Sequence, residues 1–262
     1  MRILVSLENE QNLDKLIIKL CNFLSIIEDD KVFVDILHVF KDAKGHIPNN
    51  LDSKIDEINL DTFNMKVKLI SDCENQIEHF LQNKLKKKAL VNSHLLKGNY
   101  KERLEKHIKF HNYDLLILNP GKKRDFDLIL KGRNTHWIID NLEVPVLVLP
   151  HYLKSQEDCP YEITCFVDDA KSFRNISNAQ LIKKIKNQNV RFMHFGKHKI
   201  SDEVEIVFSS NILKSLSNHT TSCDNNHVFV VNHKNKGKFL KFLDKGFTKN
   251  LINSLENPLL IF

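Results

Sequence analysis

The chain has 262 residues, enough for one large or two small domains that each bury a core. At 42% hydrophobic and 27% charged it has the composition of an ordinary soluble globule, and no apolar run reaches the roughly 20 residues that a membrane helix needs. The net charge of +6 comes without a recognisable nucleic-acid module or an aromatic stacking array, so the sequence predicts neither a nucleic-acid nor a membrane partner.

The elements follow in chain order. Residues 2–7 read as a buried strand that is followed by an acid, Glu8. Leu13, Leu16, Ile17, Leu20, Phe23 and Leu24 recur at helical spacing and predict a helix over 11–27. A strand over 31–39, a loop over 41–52 and a long helix over about 60–86 come next. Lys84, Lys86, Lys87 and Lys88 read as the solvated end of that helix. A strand (88–96), a helix (99–111), a strand (114–118), a helix (about 133–142) and a strand (145–149) complete the first half. Residues 151–161 read as a linker, between one domain over 1–150 and a second over 162–262.

The second half repeats the first in shortened form. Its opening strand ends in Asp168, and Ile176, Ala179, Ile182 and Ile185 predict a single helix after it, with Asp168 or Asp169 as its cap. Strands are expected from Val190, at 204–208, from 227 and at the carboxyl end, with a helix near 211–218. The closing units match closely. Asn119 to Pro145 and Asn232 to Pro258 are each 26 residues, and Leu-Glu-x-Pro recurs at Leu142–Pro145 and Leu255–Pro258. Alternation of this kind predicts an α/β fold of two tandem, five-stranded, parallel, Rossmann-like sheets, the second shortened. The closing strand of each half can pair with its counterpart within the chain, burying Phe262.

In such sheets ligands sit beyond the carboxyl ends of the strands, where strand order reverses. His38 and Val39 end the second strand there, and His194 ends its counterpart. Each histidine reads either as a buried, hydrogen-bonded group or as a ligand contact. His107 and His111, four apart on a helix, could reach one metal ion but read more simply as surface residues; no metal site is assigned. No nucleophile–base constellation is visible, so no catalytic residue is assigned and the chain reads as a binder rather than an enzyme. With a strand already under way at Arg2 there is no room for a leader. Cys21, Cys73, Cys159, Cys165 and Cys223 form no CxxC pair, which fits a reduced, cytoplasmic setting.

The segments ILVSLE, VDILHVF, YDLLIL and VPVLVLP, with Gly132 thirteen residues before the proline of the last, resemble the universal stress protein family in tandem form. The resemblance implies a five-stranded parallel sheet of the adenine nucleotide alpha hydrolase-like kind. In many members ATP binds at the loop after the fourth strand through G-x2-G-x9-G-[ST], with an Asp closing the first strand on the adenine side. Carried over, the first glycine falls on Asn119, the second on Lys122, the third on Gly132, the hydroxyl position on Arg133 and the Asp on Glu8. One position of the phosphate motif survives, and Lys122 puts a side chain where backbone N–H groups would approach a phosphate. The basic run from Gly121 and the helix start at Asn134 favour an anion. In the second half Asn232 and Asn235 stand at the first two glycines, while Asp168 keeps the acid. The resemblance implies a non-catalytic stress-response adaptor with a degenerate nucleotide site, no cofactor and an unidentified protein partner. An ATP- or AMP-binding regulator, and a binder of another small anionic metabolite, stay open as alternatives, as does homo-oligomerisation.

Overall fold

The computed structural model describes residues 1–7, 13–40, 52–119, 133–149, 161–167, 169–194, 199–206, 227–231 and 258–262. The strands are β1 (Arg2–Leu7), β2 (Lys31–Phe40), β3 (Lys88–Lys97), β4 (Leu115–Asn119), β5 (Val146–Val148), β6 (Glu162–Phe166), β7 (Val190–His194), β8 (Val204–Ile206), β9 (His227–Val231) and β10 (Leu259–Ile261). The helices are α1 (Leu13–Ser25), α2 (Asp52–His79), α3 (Tyr100–Phe110), α4 (Arg133–Asn141), α5 (Ala170–Ser177) and α6 (Gln180–Lys183).

All ten strands form one sheet in the order β3-β2-β1-β4-β5-β10-β9-β6-β7-β8. Every pairing is parallel except β5 with β10, where Val148 faces Leu259 and Val146 faces Ile261. The expectation of two separate sheets is therefore corrected: their two closing strands join them. Read outward from that seam, the strand order is the same on both sides. Each side begins its chain path at an inner strand, β1 or β6, and reverses direction there.

Strand alternation sends successive side chains to opposite faces. Ile3, Val5, Val34, Ile36 and Ile117 pack against Leu16, Leu20, Phe23 and Leu24 of α1 and Ile70, Cys73 and Ile77 of α2. Leu4, Leu37, Leu116 and Leu118 pack on the other face against Leu104 of α3 and Ile138 of α4. Both cores cross the seam, Leu260 entering the first and Leu259 and Ile261 the second. Phe262 is only half-buried, and its backbone N–H donates to Val231.

Three local expectations change. The long helix begins at Asp52 and its last turn is a π-helix over Phe80–Lys84. The basic cluster after it is not wholly solvated: Lys87 Nζ donates to the carbonyls of Ile27 and Asp29 at 2.5 and 2.9 Å, just beyond α1. The single helix expected across Ile176–Ile185 is broken. Asn178 caps α5, Ala179 is extended, and Ile185 forms an antiparallel bridge with Ile27. Glu28 N–H donates to Lys184 and Lys186 N–H to Ile26, so pairing between the halves replaces helical bonds. The linker 151–161, the loop at 41–51 and the expected helix near 211–218 lie outside the described residues.

Candidate functional site

Strand order reverses at β1, between β2 and β4, and three side chains meet at its carboxyl end on the α1–α2 face. Leu7 pairs with His38 on one side and Asn119 on the other. His38 is 5% exposed, and its Nδ1 donates to the carbonyl of Leu7 at 3.0 Å. A carbonyl can only accept, so the proton sits on Nδ1 and Nε2 accepts from Lys66 Nζ of α2 at 3.3 Å. Asn119 is 1% exposed and its Oδ1 has no hydrogen-bond partner among the described residues. On the opposite face Ser6 shares a 2.8 Å hydrogen bond with Tyr100, at the start of α3. Gly98 makes the turn into α3 with φ +137, where a Cβ would meet Arg103 Nε at 3.0 Å.

The structure thus brings together His38 and Asn119 of the expected site. Val39 points to the α3–α4 core, where it is half-buried. Asn134 lies in the first turn of α4 beside the buried Thr135, and Arg133 opens that helix. Glu8, Gly121, Lys122, Gly132 and Asp168 lie outside the described residues. Asp169 is the cap of α5: its carboxylate accepts from Ser172 N–H at 2.6 Å, and Ser172 Oγ accepts from Asp169 N–H in return.

A second constellation lies on the opposite, α3–α4 face, centred on Asp35 at the middle of β2. Asp35 of β2, Asn92 and His94 of β3, and Arg2 of β1 share this face, and α3 brings His107 and His111 down onto it. Asp35 is 1% exposed. Its Oδ2 accepts from Arg2 Nη2 at 2.8 Å, Arg2 Nε at 3.1 Å and the Tyr113 hydroxyl at 2.7 Å. Its Oδ1 accepts from Asn92 Nδ2 at 3.2 Å and lies 3.5 Å from His94 Nε2. Having given its only proton to Asp35, the Tyr113 oxygen accepts from His107 Nε2 at 2.8 Å. The rings of His94 and His107 are 4.7 Å apart, and those of His107 and His111 4.9 Å.

Electrostatics here follow from burial and neighbours. Burial alone would raise the Asp35 carboxyl, but hydrogen bonds from Tyr113, Arg2 and Asn92 outweigh it and hold it at about 2. Burial, with His94 and His111 close by, pushes His107 down to about 4, so its imidazole is neutral across the physiological range. Burial and the Asp35 carboxylate keep the Tyr113 phenol protonated.

Helical spacing exposed half of this second group: His107 and His111, read as surface residues, are instead part of a packed cluster. Asp35 and His94 went unrecognised. The available signal was two polar residues on the same face of adjacent strands, Asp35 in VDIL and His94 in VNSH, beneath a helix whose histidines face the same way. Register between the strands was needed to see it.

No protein-family model matches this sequence, and no curated protein matches it. Solved structures do. A universal stress protein from Archaeoglobus fulgidus DSM 4304 is 16% identical over 99% of this chain and 95% of its own, with a TM-score of 0.65. A protein of unknown function from Pseudomonas aeruginosa PAO1 is 10% identical over 100% of this chain and 92% of its own, at 0.51. One assigned as a universal stress protein from Pseudomonas aeruginosa UCBPP-PA14 is also 10% identical, over 100% and 92%, at 0.50. At such identities the likeness is one of fold, and that fold, a large and mostly parallel sheet with helices on both faces, is the fold of the universal stress proteins.

Proposed function

We propose that this chain is a non-catalytic, cytoplasmic stress-response adaptor of the universal stress type, with two such units in tandem and a degenerate nucleotide site. The observation that carries the reading is the engagement of His38. Both ring nitrogens are satisfied by the protein itself, through Leu7 and Lys66. Beside it the buried Asn119 fills the position where the family's phosphate motif begins with glycine. A floor made of a buried Asn119 and a His38 already engaged by Leu7 and Lys66 suits a stable scaffold better than a loop that wraps phosphate with backbone N–H groups. Calorimetry of the full chain with ATP and AMP tests this. Neither should saturate at millimolar concentration, whereas a micromolar Kd would overturn the reading.

One observation favours the alternative of a small-molecule binder. Asn119 Oδ1, at the end of β4, is a buried acceptor without a partner among the described residues. Such an atom is costly unless a donor reaches it. A ligand with an N–H or O–H group, and an anionic group for Lys66, would complete the cleft. Mass spectrometry of small molecules carried through purification, repeated with Asn119→Ala, separates the two readings. A ligand lost only in the variant favours the binder.

A further inference from the structure

The geometry points to a transition-metal site at Asp35, His94 and His107, of the class that takes Zn2+ or another borderline divalent ion. One ligand atom from each of the three residues lies within 4.8 Å of the other two. In a tetrahedral site with bonds of about 2.0–2.1 Å, ligand atoms stand about 3.3 Å apart. Asp35 Oδ1 and His94 Nε2 are already 3.5 Å apart. To complete the set, the His107 ring has to close from within 4.8 Å of both atoms to about 3.3 Å.

The strongest sign is at His94. Its Nε2 is buried and makes no hydrogen bond among the described residues, yet it faces a carboxylate oxygen. A neutral imidazole lone pair and a carboxylate lone pair repel unless a proton or a metal ion sits between them. The surroundings match those of ligating groups, which are held by hydrogen bonds from behind. Asn92 holds the Oδ1 that would bind, while Arg2 and Tyr113 hold the other oxygen. His111, its ring 4.9 Å from that of His107, stands next in line for the fourth position, which water can also fill. Two imidazoles and a carboxylate select zinc, nickel, cobalt or copper over magnesium or calcium. The Arg2 guanidinium opposes a second cation, so the site belongs to the micromolar rather than the picomolar class.

The test uses the full-length chain, stripped with chelator. Co2+ added to the wild type should give the intense visible bands of a four-coordinate ion at one equivalent, and Zn2+ should abolish them. His94→Gln and His107→Gln should each weaken Zn2+ binding at least tenfold, while the exposed His79→Gln leaves it unchanged. Circular dichroism checks that the variants fold, and the wild-type cobalt spectrum stands even if they do not. Absence of the cobalt bands, or binding undiminished in folded His94→Gln and His107→Gln, overturns the site and leaves a shared proton as what joins His94 to Asp35. A metal failure here would leave the cleft reading untouched, since the two sites lie on opposite faces of the sheet.

Discussion

His194 donates from Nδ1 to the carbonyl oxygen of Val167 at 2.9 Å, and His38 makes the same bond to Leu7 at 3.0 Å. Each histidine ends or nearly ends the second strand of its half, and each carbonyl closes the first. The bond ties neighbouring strands together at the point where regular ladder hydrogen bonds run out. His38→Leu leaves a buried carbonyl without its donor and is expected to cost about 1–3 kcal/mol. His194 is only half-buried, so water can replace its bond and His194→Leu should cost less than half as much. Urea unfolding of both variants checks this, and equal losses would count against it.

Lys19 is 1% exposed on α1, and burial, reinforced by Lys15, pulls its ammonium from 10.5 down to about 7. The native state thus disfavours the charged form. Below pH 7 both native and unfolded chains carry the charge and the penalty is complete. Between pH 7 and 10.5 the unfolded chain holds more protons, so stability rises with pH. Lys19→Met, similar in length, should stabilise by about 2 kcal/mol at pH 7. The gain should shrink toward pH 10, as followed by thermal melts across that window.

Lys86 adopts φ +54 in the turn between the π-helix and β3. An L residue there costs roughly 1 kcal/mol, of which glycine recovers part after its larger unfolded-state entropy is subtracted. Lys86→Gly should gain about 0.5 kcal/mol, and Lys86→Val, branched at Cβ, should lose at least about 1 kcal/mol. Chemical denaturation of the pair reads the difference.

Removal of Pro258–Phe262 takes β10 from between β5 and β9, not from an outer edge. Leu259, Leu260 and Ile261 are each at most 3% exposed, and each large core side chain lost costs about 2–5 kcal/mol. Against a total stability of roughly 5–15 kcal/mol, the truncated chain should aggregate or lose cooperative unfolding. A soluble truncation with an unchanged Tm would show the seam to be dispensable.

Much of the sheet was legible because its strands are short apolar runs with clear punctuation, and β1 to β5 start and stop within a residue or so of the expected positions. The seam was foreseen as a pairing of closing strands, yet its consequence, one sheet rather than two, was not. The broken helix at Asn178 was illegible because Ile176, Ala179, Ile182 and Ile185 keep helical spacing; the extended Ala179 interrupts it, and the bridge from Ile185 to Ile27, a contact across roughly 160 residues, ends the second piece. Local pattern carries no record of such a partner. His38 was legible by position, and its pairing with Lys66 was not, since the two are joined only by the packing of α2 on β2.

The antiparallel seam also sets a timetable for synthesis. β5 is complete near residue 149, but its partner is made about 110 residues later. At about 5–20 residues per second, the growing chain spends on the order of 6–20 s with the outer edge of β5 unpaired. During that interval Val146, Leu147 and Val148 present a template on which another nascent chain could add its own strand. Slower translation of the second half should therefore lower the yield of folded protein, even though the first half has already acquired its own core.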